Sequence, residues 1–303
     1  MGQCIKCYRN VISPCSRAVL SCFGCKRCCF RPTDEDLISE FCIYAKSNNV
    51  KGLENLAGRI RILKGEKYKI GKLCSQVPTE PASSNYSDIE NARRMNALHT
   101  AAMNDNLEIL LVILKMNGCD PNQFESPCHY TALHFAAKEG FTATANLLIK
   151  YNVDVNALDW KKNTALLLSA ANGHKSIVKT LIDHGAKINL RNCNGFNALI
   201  ASIINGRREC ALLLIKLGSD LEITDVHGNT PLHLAIMKGS QGVVKFLLQC
   251  GAQVYKFNKF QTSTLDEAKR AKSLEILTLI ESAWVKHRQK VIALRDVTEE
   301  EED

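Results

Sequence analysis

Residues 230–236 read Thr-Pro-Leu-His-Leu-Ala-Ile, and variants of this heptapeptide, here called the opening block, recur along the chain. The other copies are Asn96-Ala-Leu-His-Thr-Ala-Ala102, Thr131-Ala-Leu-His-Phe-Ala-Ala137, Thr164-Ala-Leu-Leu-Leu-Ser-Ala170 and Asn197-Ala-Leu-Ile-Ala-Ser-Ile203. A shorter sixth version, Thr264-Leu-Asp-Glu-Ala268, begins one position later than the spacing of the three preceding blocks would place it. Such a constant period, of about 33 residues, is typical of stacked repeats.

Each opening block precedes a turn and a second apolar segment, such as Val243-Val-Lys-Phe-Leu-Leu248, whose leucine-type residues have helical spacing. The Thr or Asn that opens the block is a natural helix N-cap. A glycine such as Gly185 or Gly251 follows the second segment, where a left-handed residue ends a helix. Each period is therefore predicted to form a helix, a turn, a second helix and an extended loop.

The period, the opening block and a closing block of the type His184-Gly-Ala-Lys-Ile-Asn189 together resemble the ankyrin repeat family. The resemblance covers at least residues 92–283. It implies an all-α solenoid of stacked helix-turn-helix repeats with short hairpin fingers, in which neighbouring repeats bury each other's apolar faces. It also implies that the block histidines His99, His134 and His233 make hydrogen bonds within and between repeats, and so have a structural role.

The repeat register divides the chain into five predicted segments. They are a cysteine-rich basic head (1–32), a degenerate N-terminal capping repeat (33–63), a polar insertion loop (64–91), the repeats with their C-terminal cap (92–283), and a helical extension with an acidic tail (284–303). The insertion is inferred because Ser39, which opens the degenerate repeat, lies much more than one period before Asn96.

No enzyme motif stands out in the sequence. There is no phosphate-binding glycine loop, no His-Glu-x-x-His pair and no Gly-x-Ser-x-Gly elbow. We therefore expect a protein without enzymatic activity and without a cofactor.

By resemblance to the family, a protein partner is expected to bind a concave groove lined by the fingertips and by the exposed ends of the inner helices. The predicted contact residues are Tyr130, Trp160, Lys161, Phe196, His227, Lys138 and Met237. Three of them are aromatic and lie on fingers, where exposed rings would serve as binding anchors. The alternative is that each ring packs down onto its own repeat.

The head holds seven of the 14 cysteines, all of them before Phe30, and six basic residues without an acidic one. Reduced cysteines among basic and apolar residues favour lipid attachment, and an acyl chain with a basic patch anchors stably. The predicted lipidation residues are Gly2, Cys4 and Cys7. Myristoylation of Gly2 departs from its usual pattern, because position 6 is Lys6 rather than Ser or Thr.

Two metal-based interpretations of the head stay open. Cys4, Cys7, Cys22 and Cys25 form two Cys-x-x-Cys pairs that could hold a structural zinc ion. That site would leave Cys28 and other head cysteines unexplained. An iron–sulfur or redox site on Cys22, Cys25 and Cys28 is the third interpretation, and an unmodified tail is the fourth.

The composition further limits the classes of protein to which the chain can belong. The 303 residues include 46% hydrophobic and 23% charged ones, as in globular domains, and no run approaches the roughly 20 apolar residues of a membrane-spanning helix. The net charge of +8 is not clustered in the repeats, so nucleic-acid binding is not expected. The prediction is a monomeric scaffold or adaptor on the cytoplasmic side of a membrane; the alternative is a soluble adaptor stabilised by zinc.

Overall fold

A computed structural model describes residues 34–64, 70, 95–116, 118–125, 128–271 and 273–300. The predicted head, with its lipidation and zinc cysteines, lies outside the described residues. So does the predicted insertion, apart from Lys64 and Ile70. The segment boundaries drawn from the sequence stay predictions.

The described residues form fourteen helices, which follow one another in pairs. They are α1 (Asp34–Lys46), α2 (Val50–Lys64), α3 (Ala97–Met103), α4 (Leu107–Leu114), α5 (Ala132–Glu139), α6 (Thr142–Lys150), α7 (Ala165–Asn172), α8 (Lys175–Asp183), α9 (Ala198–Ile204), α10 (Arg208–Lys216), α11 (Pro231–Met237), α12 (Gln241–Gln249), α13 (Thr264–Arg270) and α14 (Leu274–Glu300). Within this part of the chain, the extended pairing is limited to one isolated bridge between Phe257 and Ser263. The predicted all-α solenoid is confirmed.

The opening blocks form the first helix of each pair, here called the inner helix. The side chain of Asn96 accepts a hydrogen bond of 2.9 Å from the backbone N–H of His99. At Thr131 the cap is reciprocal, because the Thr131 N–H donates to Nδ1 of His134 at 3.1 Å. These contacts satisfy amide groups that have no partner within the helix itself.

The sixth repeat corrects the register drawn from the sequence. Its helix cap is Ser263 and not Thr264, because the Ser263 hydroxyl and the Asp266 carboxylate form the reciprocal cap. The Thr264 side chain is buried instead, and its hydroxyl donates to the backbone carbonyl of Val254. The step from Thr230 to Ser263 is therefore the same as the step from Asn197 to Thr230.

Small buried residues recur on the inner helices. Ala101, Ala136 and Ala170 are fully buried there, and neighbouring inner helices contact each other more extensively than neighbouring outer helices do. One apolar core runs through the stack from Leu37 to Ile280, as expected when each repeat buries its faces against its neighbours.

A ladder of side chains in the loops after the outer helices joins each repeat to the next. The Oδ1 atoms of Asn122, Asn156 and Asn189 accept backbone hydrogen bonds of 2.6, 2.8 and 3.0 Å from the following repeat, and Oε1 of Glu222 accepts one of 2.8 Å. These four residues end the closing blocks found in the sequence.

Candidate functional site

The fingers are tight hairpins that end at the N-cap of each inner helix. In the finger before Thr164, the Asp159 N–H donates to the carbonyl of Asn163 at 3.0 Å. The Asp159 carboxylate accepts from the N–H groups of Lys161 and Asn163 at 2.8 and 2.7 Å, and from Nδ2 of Asn163 at 2.8 Å. Asp225 accepts the corresponding three hydrogen bonds in its own finger. The buried carboxylate therefore holds each tip in one conformation.

Backbone hydrogen bonds tie each finger to the next. Four backbone N–H groups each donate to a carbonyl of the preceding finger: Trp160 to Cys128 (3.2 Å), Cys193 to Lys161 (2.9 Å), Val226 to Asn194 (3.2 Å) and Lys259 to His227 (2.9 Å). Two side-chain bonds of 2.9 Å, from Asn192 to Asn163 and from Asn258 to Asn229, add to this link. The fingertips are thus fixed side by side.

Trp160 lies at the outermost part of its finger, and 58% of its surface is exposed. The ammonium group of Lys161 lies 4.8 Å from the centroid of the Trp160 ring, a distance at which a cation is attracted by the ring face. These two predicted contact residues therefore form one exposed aromatic and cationic pair.

Tyr130 and Phe196 occupy a different position from Trp160. Each directly precedes an N-cap residue and is half-buried. The Tyr130 ring stacks on His134 with a centroid distance of 5.6 Å and meets the edge of Phe135 at 5.3 Å, while Phe196 packs against the core. Both rings take the packed alternative, and the structure does not bring them into a row with Trp160.

The other predicted contact residues are spread along the groove. His227 is exposed and stacks on Phe260 with a centroid distance of 5.8 Å. Met237 is 56% exposed at the end of α11. Lys138 is half-buried at the corresponding end of α5, where its ammonium group lies 3.7 Å from the carboxylate of Glu139.

The sequence analysis did not identify the finger that precedes the sixth repeat, residues 255–262. Phe257 and Phe260 are 58% and 69% exposed there, and Lys259 lies between them. Asn258 precedes Ser263 by five residues, as Asp225 precedes Thr230, so the cap at Ser263 would have located this finger.

The block histidines are core residues rather than site residues. The Nε2 atoms of His99 and His134 lie 2.9 and 3.2 Å from the carbonyls of Gln123 and Asn163 in the fingers. Burial lowers the pKa of His99 to about 4, and lowers those of His134 and His233 as well. The neutral imidazoles of His99 and His134 therefore connect their inner helices to fingers.

The described part of the chain holds neither a metal-binding cluster nor a membrane-spanning helix. No group of three or more His, Cys, Asp or Glu side chains is placed to hold a metal ion in these ranges. None of the described helices combines the length and the apolar character needed to cross a membrane.

Comparison with known proteins agrees with this architecture. The family model for ankyrin repeats (3 copies) matches residues 80–159, 98–192 and 185–258. The chain is similar to a putative ankyrin repeat protein of Fowlpox virus, with 34% identity over 30% of the chain and 14% of the viral protein. It is also similar to the ARF GTPase-activating protein Git of Drosophila melanogaster, with 42% identity over 20% of the chain and 8% of that protein.

These two similarities span only a small part of each relative. The family matches, in contrast, run together from residue 80 to residue 258, which is more than half of the 303 residues. Ankyrin repeats are in general protein-binding scaffolds rather than enzymes. The chain belongs to the ankyrin repeat family.

Proposed function

We propose that the protein is a non-enzymatic adaptor that binds a protein partner in the groove formed by its fingertips and inner-helix ends. The observation that carries the proposal is the exposure of Trp160 on a finger whose backbone is fixed by hydrogen bonds. A rigid exposed aromatic ring binds a partner with little loss of conformational entropy. Met237, exposed on the inner-helix side, supplies a second apolar contact.

Two paired variants test this function. Trp160→Ala with Met237→Ala removes exposed apolar groups from the groove, whereas Leu217→Ala with Val285→Ala removes exposed apolar groups elsewhere. Proteins captured from a cell lysate by the wild type are identified, purified and titrated against both variants. We expect the groove variant to weaken binding at least tenfold, about 1.4 kcal/mol, with the control unchanged. Equal binding by all three proteins would contradict the proposal.

We further propose that the basic head tethers the adaptor to the cytoplasmic side of a membrane through S-acylation of Cys4 and Cys7. Support comes from the sequence, because the head combines cysteines with six basic residues, and acyl chains act together with basic charge on anionic leaflets. Myristoylation of Gly2 would add a second acyl chain. The competing proposal is a zinc site on Cys4, Cys7, Cys22 and Cys25.

Fractionation of cells expressing the full chain separates these proposals. We expect membrane association that hydroxylamine abolishes, that Cys4→Ala with Cys7→Ala reduces, and that Gly2→Ala reduces further where myristate is attached. Cys193→Ala with Cys250→Ala, at two exposed cysteines of the repeats, is the matched control. A soluble protein with one equivalent of zinc would favour the metal site instead.

A further inference from the structure

The exposed charges of the fingers have one sign. The fingers considered are residues 157–163, 190–196, 223–229 and 255–262. Their two carboxylates, Asp159 and Asp225, are each only 5% exposed and accept hydrogen bonds within the finger. Lys161, Lys162 and Lys259 are exposed on the same fingers. A partner that approaches the tips therefore meets positive charge and no accessible carboxylate on these four segments.

Large apolar side chains are exposed on three of these four fingers. Trp160, Val226 and Phe260 are 58%, 45% and 69% exposed, and they lie on the first, third and fourth of these fingers. Isolated exposed apolar residues are ordinary, but a series of them on adjoining rigid fingers marks an interaction surface. The row formed by the tips of these four fingers is called the ridge here. The ridge therefore offers apolar contact and positive charge together.

The inner-helix ends continue the same pattern into the groove. Met237 is 56% exposed, and Lys238 beside it is exposed as well. At the corresponding end of α5, three repeats earlier, the carboxylate of Glu139 lies 3.7 Å from the Lys138 ammonium group and so is partly compensated. Other exposed carboxylates lie outside the fingers, as at Asp154 and Asp220 in the loops that lead from the outer helices into them.

We propose that the groove selects an acidic protein segment that carries aromatic or aliphatic side chains. This inference rests on the proposed function, since it names the chemistry of the partner for the same surface. Complementary charge favours such a segment and disfavours a basic one. The fixed fingers leave little conformational freedom to lose on binding. An extended segment can contact both the fingertips and the inner-helix end at Met237 and Lys238, which are all exposed.

Selection from a library of random peptides, displayed against the full chain, tests the proposal. We expect the bound pool to be enriched in Asp and Glu next to Phe, Trp or Leu. Lys161→Glu with Lys259→Glu should remove that enrichment and weaken the selected peptides about tenfold or more. Lys179→Glu with Lys245→Glu changes the net charge equally at exposed positions of the outer helices and should leave both results unchanged.

Other results would overturn the inference. A neutral or basic pool, or equal losses in the groove variant and its control, would exclude charge selection by the groove. If partners still depend on Trp160 and Met237 in that case, the adaptor function stands and only the partner's chemistry is wrong. If no peptide is selected and the chain binds phosphatidylserine vesicles, and if Lys161→Glu with Lys259→Glu abolishes that binding, the fingertips contact a lipid surface instead. If the chain self-associates and the same variant abolishes this, the fingertips bind the acidic tail of a second copy, residues 296–303.

Discussion

The Nε2 atom of His174 lies 2.9 Å from the backbone carbonyl oxygen of Lys138, one repeat earlier in the chain. The residue before an outer helix, α8, thereby satisfies a carbonyl at the end of α5, the inner helix of the previous repeat. Nδ2 of Asn106 and Nε of Arg207 make the same kind of contact, at 2.8 Å to Ala45 and 3.2 Å to Ala171. Side chains next to the outer helices thus fix the ends of the inner helices, which form part of the proposed groove.

This contact makes Gly140 a sensitive position. Gly140 has a φ of +92°, and a β-carbon there would lie 2.6 Å from the His174 ring. Gly185, with a φ of +85°, has no heavy atom within 4 Å of that position. Both alanine variants bear left-handed strain of about 1–2 kcal/mol. We expect Gly140→Ala to lower the free energy of unfolding by about a further 1 kcal/mol, measured by urea denaturation.

A double-mutant cycle checks the cause. In a His174→Ala background the imidazole is absent, so Gly140→Ala should cost no more than Gly185→Ala. An unchanged difference between the two glycine variants would show that His174 is not the group responsible.

The carboxylate of Asp159 is expected to be the main support of the Trp160 tip. Asp159→Ala leaves three donors in Lys161 and Asn163 without their acceptor, two of them backbone amides, so we expect a loss of about 2–3 kcal/mol in the free energy of unfolding. Asp159→Asn keeps one oxygen acceptor, as Asn192 does naturally in the next finger, and should lose only about 1 kcal/mol. Urea denaturation followed by Trp fluorescence measures both; equal losses would contradict this account.

Stability should fall in mild acid because of the buried block histidines. The pKa of His99 is about 4 in the folded chain, below its ordinary value of 6.5. Between these pH values the unfolded chain binds more protons, so the free energy of unfolding falls as the pH decreases, by about 1.4 kcal/mol per pH unit for His99. The contribution of His99 is complete above about pH 6.5 and stops changing below about pH 4.

His99→Gln removes this titration while it keeps a side-chain donor toward Gln123. We expect the pH dependence of the unfolding free energy to become shallower by about 1.4 kcal/mol per pH unit in that interval. His184→Gln, at an exposed imidazole, is the control for the loss of a histidine side chain. A slope unchanged by His99→Gln would contradict the assignment.

The two aromatic positions of the fingers should separate binding from stability. Trp160→Ala removes an exposed ring and should change the free energy of unfolding by less than about 1 kcal/mol. Phe196→Ala removes a ring that packs against the core and should cost about 2 kcal/mol or more. Thermal denaturation of the two single variants compares them; a larger loss for Trp160→Ala would place its ring in the core instead.

Much of the fold could be predicted from the sequence because helix caps and turns are local. The repeat register, the N-caps at Asn96, Thr131 and Thr230, and the block histidines depend on residues close together in the chain, and the structure has them in those roles. The register failed at Thr264, because Ser263 and Thr264 are both cap-forming residues. Burial of Thr264 against Val254 decides between them.

The repeat pattern was enough to predict a stack of helical repeats, because a single helix pair cannot bury both of its apolar faces without neighbouring repeats. Which aromatic residues of the fingers are exposed became clear only from the folded structure. Trp160 and Phe196 lie on adjacent fingers, but Trp160 occupies the tip and Phe196 the position before the N-cap, where its ring meets the core. The direction of a side chain in a hairpin turn depends on hydrogen bonds to the neighbouring fingers, which lie a full repeat away in the chain.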